Sequence, residues 1–167
     1  MSEFNLLDCI GKAINTVEIQ KLLNITNIDE NNLNGSLDSF TTYGISGKVE
    51  LHFQKAIIIQ VYLEDENKEI QETFKELLNQ MLTAPKDMLF LNAVVISNNS
   101  LFDLGYHLPT SMEINKTTKA ELIDRLGEPY LINNLFNSVG WRINGNSLAG
   151  GFDENNDILT DVTVAIF

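Results

Sequence analysis

The chain has 167 residues, 44% of them hydrophobic and 20% charged, with one cysteine, Cys9; a domain of this size buries roughly 70% of the surface it exposes when unfolded and needs no disulfide or metal to fold. Its 23 acidic against 11 basic residues give a formal charge of −12, which argues against nucleic acid as a partner, because phosphates are met with Lys and Arg, and fits either basic partners or plain solubility. The first twenty residues lack a basic segment followed by a long apolar run, and no segment approaches a membrane span, so the expectation is a cytoplasmic protein with no membrane association.

The first predicted helix lies in INTVEIQKLLN. Asn15 and Glu18 have the spacing of a capping box, Ile14 and Ile19 that of a hydrophobic staple, and Val17, Ile19, Leu22 and Leu23 form an apolar face. The Asn-, Asp- and Ser-rich stretch 24–39 reads as a loop. Val49, Leu51 and Phe53 then alternate with polar residues as in a half-buried strand, and the β-branched AIIIQVYL reads as a second strand after a tight turn at Gln54–Lys55.

Residues 66–82 predict a helix with Ile70, Phe74, Leu77, Leu78 and Met81 on one face, closed by Pro85. A strand around Val94–Ile96 follows, then a connector over residues 101–114. In KTTKAELIDRLGEP, Thr118 and Glu121 repeat the capping-box spacing, Leu122, Ile123 and Leu126 form the buried face, Gly127 is placed for a left-handed C-cap and Pro129 forbids continuation. VGWRIN, SLAGGF and ILTDVTVAIF read as strands with turns at NGN and ENND, Val162, Val164 and Ile166 facing inward. The expected class is α+β, a mostly antiparallel sheet packed by a few helices in one domain over 1–167. Possible pseudo-repeated halves, 1–63 and 108–167, are joined by the helix at 66–82.

No motif for chemistry completes itself. His52 and His107 lack partners at metal-ligand spacing, Cys9 reads as a small buried apolar side chain, and neither a metal nor a cofactor is expected. YGISGKVE lacks the first glycine and the Ser/Thr of a phosphate loop. Asp153, Asn155 and Asp157 alternate like calcium ligands, but the loop has neither the glycine nor the terminal glutamate, so a hairpin turn is the better account. No catalytic residue is assigned. Trp141 reads as core, with an aromatic anchor for a partner as the alternative.

The run from Leu108 to Thr163 resembles a group of small bacterial immunity proteins encoded beside polymorphic toxins of the contact-dependent inhibition type. The matching residues are Leu108 and Pro109, Thr118 before a short helix, the Leu126–Gly127–Pro129 stop, Trp141, and Val162–Thr163; Gly11 and Leu22–Leu23 match the opening helix. The helix at 66–82 is additional to that pattern. The resemblance implies a non-catalytic protein that occludes a cognate toxin domain, in keeping with an acidic surface directed at a basic nuclease. The expected contacts are the acidic clusters Glu64, Asp65, Glu66 and Asp153, Glu154, Asp157, with Trp141, on a monomer or weak dimer. The alternatives are an acidic cytoplasmic chaperone for a secreted effector and a small-ligand-binding α+β domain.

Overall fold

Alternating apolar side chains on five strands line up into two rows across one sheet, and those rows organise the molecule. The computed structural model describes residues 4–35, 42–47, 49–66 and 68–166. Its strands are β1 (Phe4–Asn5), β2 (Asn34–Gly35), β3 (Thr42–Ser46), β4 (Val49–Lys55), β5 (Leu89–Ile96), β6 (Tyr106–His107), β7 (Leu131–Asn133), β8 (Ser138–Ile143), β9 (Asn146–Phe152) and β10 (Leu159–Ala165). Its helices are α1 (Val17–Thr26), α2 (Ala56–Asp65), α3 (Lys68–Thr73), α4 (Lys75–Thr83), α5 (Ser100–Asp103) and α6 (Lys119–Leu126). Eight strands form one antiparallel sheet in the order β2-β3-β4-β5-β10-β9-β8-β7, while β1 and β6 pair in parallel. The class is α+β, as the sequence predicts.

Cross-strand register places Leu51, Val94, Val164, Leu148 and Trp141 in one row and Val49, Ile96, Val162, Gly150 and Val139 in the next. Such neighbours are the unit of sheet stabilisation. Ile19, Leu22 and Leu23 of α1 and Leu122 of α6 join these rows in one core. At Asn92 the β4–β5 ladder skips a residue, His52 pairing with Ala93 but Phe53 with Leu91. This bulge re-aims the side chains beyond it, so Leu91 joins the main core while Phe90 packs in a second cluster with Ala56, Ile59 and Leu63 of α2 and Met81 of α4.

The molecule has a two-part plan. From the central β5–β10 pair the sheet reads outward as β5-β4-β3-β2 on one side and β10-β9-β8-β7 on the other, each meander preceded by a helix. The bracing recurs. Leu91 N–H donates to Lys12 O and Ile14 N–H to Leu89 O ahead of α1, while Leu159 N–H donates to Thr117 O and Lys119 N–H to Asp157 O at the start of α6. At β3 the approach is close: a Cβ on Gly44 would meet Ile28 Cγ2 at 2.4 Å. The first part does not end at residue 63, because its fourth strand, β5, follows the helical stretch α2–α4.

Several local expectations are corrected. AIIIQVYL is helix α2, not a strand, and no turn forms at Gln54–Lys55. Ala56, Ile59 and Leu63 recur at helical spacing and are 2%, 1% and 0% exposed, so burial of that stripe overrides the β-propensity of the intervening Ile57, Ile58 and Val61. The hairpin partner of β4 is β3. The N-cap position of α1 is Thr16 instead of Asn15, with no side-chain cap bond, its hydroxyl donating back to Ala13 O; Glu18 pairs with Lys12 and Val17 is exposed. The helix predicted over 66–82 is broken at Phe74 into α3 and α4. Gly127 has φ 82 and ψ −170, an extended glycine conformation instead of the left-handed cap. The Thr118–Glu121 capping box is present in full.

The helical register of α2 gives a direct check. Ile59→Ala should lower the stability of the protein by about 2–5 kcal/mol through the cavity it leaves, whereas Val61→Ala, half exposed in α2, should change it by about 0.5 kcal/mol or less. Equal shifts of the two urea midpoints would contradict this helix.

Candidate functional site

The acidic turn between β9 and β10 is built by its own polar side chains. The Asp153 carboxylate accepts the N–H groups of Asn155 (2.9 Å) and Asn156 (3.2 Å), and Asn156 Oδ1 accepts that of Ile158 (3.1 Å). Asp157 adopts φ 55, a region that Asp and Asn tolerate better than most residues. Its carboxylate receives Lys119 Nζ at 2.9 Å and Asn137 Nδ2 at 3.1 Å. These contacts, the Lys119 bond first, hold the Asp157 carboxyl below its ordinary value. Asn137 also donates to the carbonyls of Phe152 and Asp153, and its own Oδ1 accepts from Lys119. One small knot therefore ties the start of α6, the β7–β8 turn and the β9–β10 turn. Asp153 and Asp157 are engaged in building the turn, and Glu154 is the exposed carboxylate it displays.

Glu64, Asp65 and Glu66 gather at the C-terminal end of α2, with Glu66 as C-cap. Glu64 accepts a hydrogen bond from Gln60, and Gln71 Nε2 caps the Glu64 and Glu66 carbonyls at 2.8 Å each. Among the described residues no cation pairs with these three carboxylates. A helix C-terminus carries partial negative charge, so three acids there work against the macrodipole. α2 departs from the end of the sheet where β4 finishes, and the β9–β10 turn lies at the end opposite to that departure point.

Trp141 is 3% exposed, part of the main core, and donates Nε1–H to Gly127 O at 2.8 Å. It fastens the end of α6 to β8 and has no face left for a partner. The anchor role considered for it is corrected on that ground. Its neighbour Arg142 lies over the Tyr130 ring, 5.2 Å from the centroid.

A groove of about 550 Å³ opens between α6 and the segment from Phe102 to Thr117. Its charges are spent on one another: Lys116 pairs with Glu113, and Arg125 with Glu121 and the Ser111 carbonyl. The sequence reading missed β7 and its turn, where Tyr130, Leu131, Ile132, Leu135 and Phe136 are all at least half exposed. The signal was present, since residues 129–141 contain no charge, but an uncharged run reads equally as buried strand. Among the described residues, no three His, Cys, Asp or Glu side chains gather as metal ligands, and no helix is long and apolar enough to cross a membrane.

Two measurements follow from these environments. The depressed Asp157 pKa means that its contacts stabilise the fold above the ordinary aspartate pKa and lose that contribution as pH falls through the lower folded-state value. The stability difference between the wild-type protein and Asp157→Asn, which tolerates the same positive φ, measured by urea unfolding, should therefore be larger at pH 7 than in strong acid; a pH-independent difference would show that the ion pair is not its source. Cys9 is 2% exposed, and burial pushes its thiol up to about 11. It should react with a thiol reagent at neutral pH only after unfolding, and fast labelling of the native protein would refute that burial.

Comparison with family models, with curated proteins and with solved structures returned no match.

Proposed function

We propose that this protein is an immunity protein acting in the cytoplasm, which binds a cognate toxin domain, a basic nuclease, and neutralises it by occlusion. The observation that carries the reading is the unpaired acidic end of α2. Three carboxylates stand where the helix dipole disfavours them and where no cation among the described residues pairs with them, which makes this surface better suited to an external basic partner than to internal stability. Glu154, held on its rigid turn between β9 and β10, adds a second acidic point. The resemblance of Leu108–Thr163 to toxin-associated immunity proteins supports the same reading.

Occlusion needs no reacting group on the inhibitor. An acidic surface placed over the phosphate-binding face of a nuclease takes up the lysines and arginines that would hold substrate. The charge of −12 accelerates encounter through long-range steering, which weakens as salt screens it.

The test is co-purification of the tagged chain with the product of the gene immediately upstream of its own. A stoichiometric complex is expected, with a partner toxic alone and harmless when paired. The triple variant Glu64→Lys, Asp65→Lys, Glu66→Lys should slow association at least tenfold at low ionic strength and flatten its salt dependence. A partner harmless alone, or captured only through an unfolded segment, would remove the immunity reading and favour an effector chaperone. An unaltered association rate in the triple variant would remove the α2 end as the contact.

A further inference from the structure

The two edges of the main sheet differ. β2, at one edge, is the dipeptide Asn34–Gly35 and offers no apolar side chain. β7, at the other, offers apolar groups on both faces. Ile132 pairs with Val139 and so extends the inner row that runs through Val49, Ile96, Val162, Gly150 and Val139; yet Ile132 is 61% exposed, because no strand follows it. Leu131 points to the opposite face and is 50% exposed. Beyond them the turn projects Leu135 and Phe136, 79% and 72% exposed. Their placement is fixed, since both backbone N–H groups donate to Asn133 Oδ1 and Asn137 locks the turn from behind.

An edge strand leaves one side of its backbone unpaired, and proteins usually blunt it with inward-pointing charge, lysine or a bulge. Of these β7 has none; what limits it as an edge is its length of three residues, and the whole stretch 129–141 is uncharged. The absence of charge selects among occupants. A basic partner finds no carboxylate here to recognise, whereas a second copy of this chain, bearing the same −12, can approach without opposing charges only along such an uncharged strip.

We propose that β7 is a self-association edge, pairing antiparallel with β7 of a second copy about a twofold axis through Ile132. The twofold sets Ile132 against its own counterpart and Leu131 against Asn133, so the inner row continues from one copy into the other and the two eight-stranded sheets become one. It also brings the Leu135–Phe136 tip of each copy to the Tyr130–Arg142 stack of the other. Contacts of this kind are isologous and close on themselves, which limits assembly to a dimer. The five exposed side chains present on the order of 600 Å² per copy, taking large apolar side chains at about 200 Å² when fully exposed. Full burial of all five in both copies would bring the dimer to ~1,200 Å², the lower bound of a standard specific interface.

The dimer is independent of the toxin reading, because it requires no second protein and uses neither acidic cluster. Its salt dependence has the opposite sign: like-charged copies repel at long range, so screening should tighten the dimer while weakening capture of a basic partner. The experiment is sedimentation velocity of the purified full chain from about 1 to 200 μM in 50 mM and 500 mM NaCl. The expected result is a reversible monomer–dimer equilibrium, tighter at the higher salt. Ile132→Lys should weaken it at least tenfold, Phe136→Ser severalfold, and Ile57→Lys on α2 not at all. Phe136 lies at the exposed tip, so its variant serves even where Ile132→Lys impairs folding, as checked by circular dichroism. A monomer at every concentration, or a dimer indifferent to Phe136→Ser and to folded Ile132→Lys, would overturn the proposal.

Discussion

The antiparallel pairing of β5 with β10 is the contact on which the rest of the architecture hangs. Ala93–Ile96 lie against Val162–Ala165, and each strand is also the inner member of its own meander. Val94 and Val164 face each other at the centre of one apolar row, Ile96 and Val162 at the centre of the next. Without this seam there would be two small sheets, each with an uncovered central edge. With it, α1 and α6 settle over a single continuous core, and the exposed edges of the assembly are reduced to β2 and β7.

Much of this plan was legible because local signals agreed with burial. The Thr118–Glu121 box, the alternation of Val162 and Val164, and the turn at Asn144–Gly145, both with positive φ, all report directly on backbone conformation. α2 was misread because a run of Ile and Val speaks of side-chain shape, whereas the choice of helix depends on which of those side chains meet Phe90 and Met81. That information is tertiary. β7 escaped notice because three residues are too few to show a period, and its status as an edge follows from the sheet order, not from its own letters.

The candidate surfaces divide in a similar way. The sequence located both acidic clusters, and the structure separates the carboxylates that build from those that are displayed. Asp153 and Asp157 close a turn and anchor Lys119, while Glu64, Asp65 and Glu66 have no cationic counterpart within the described chain. Trp141 belongs to the interior; exposed aromatics such as Tyr130 and Phe136 are common residue types whose exposure no spacing rule announces.

The placement of α2–α4 between β4 and β5 has a consequence for how the chain folds. In the second part β7, β8, β9 and β10 follow one another through short turns, so their ladders close loops of a few residues at small entropic cost. In the first part the fourth strand is held away from the third by the helices between residues 56 and 83, and Ile96 meets Val162 across a sequence separation of 66 (162 − 96). Contact-order arguments then favour early formation of the β7–β10 meander, which supplies the template, and late arrival of β5, which joins the two parts.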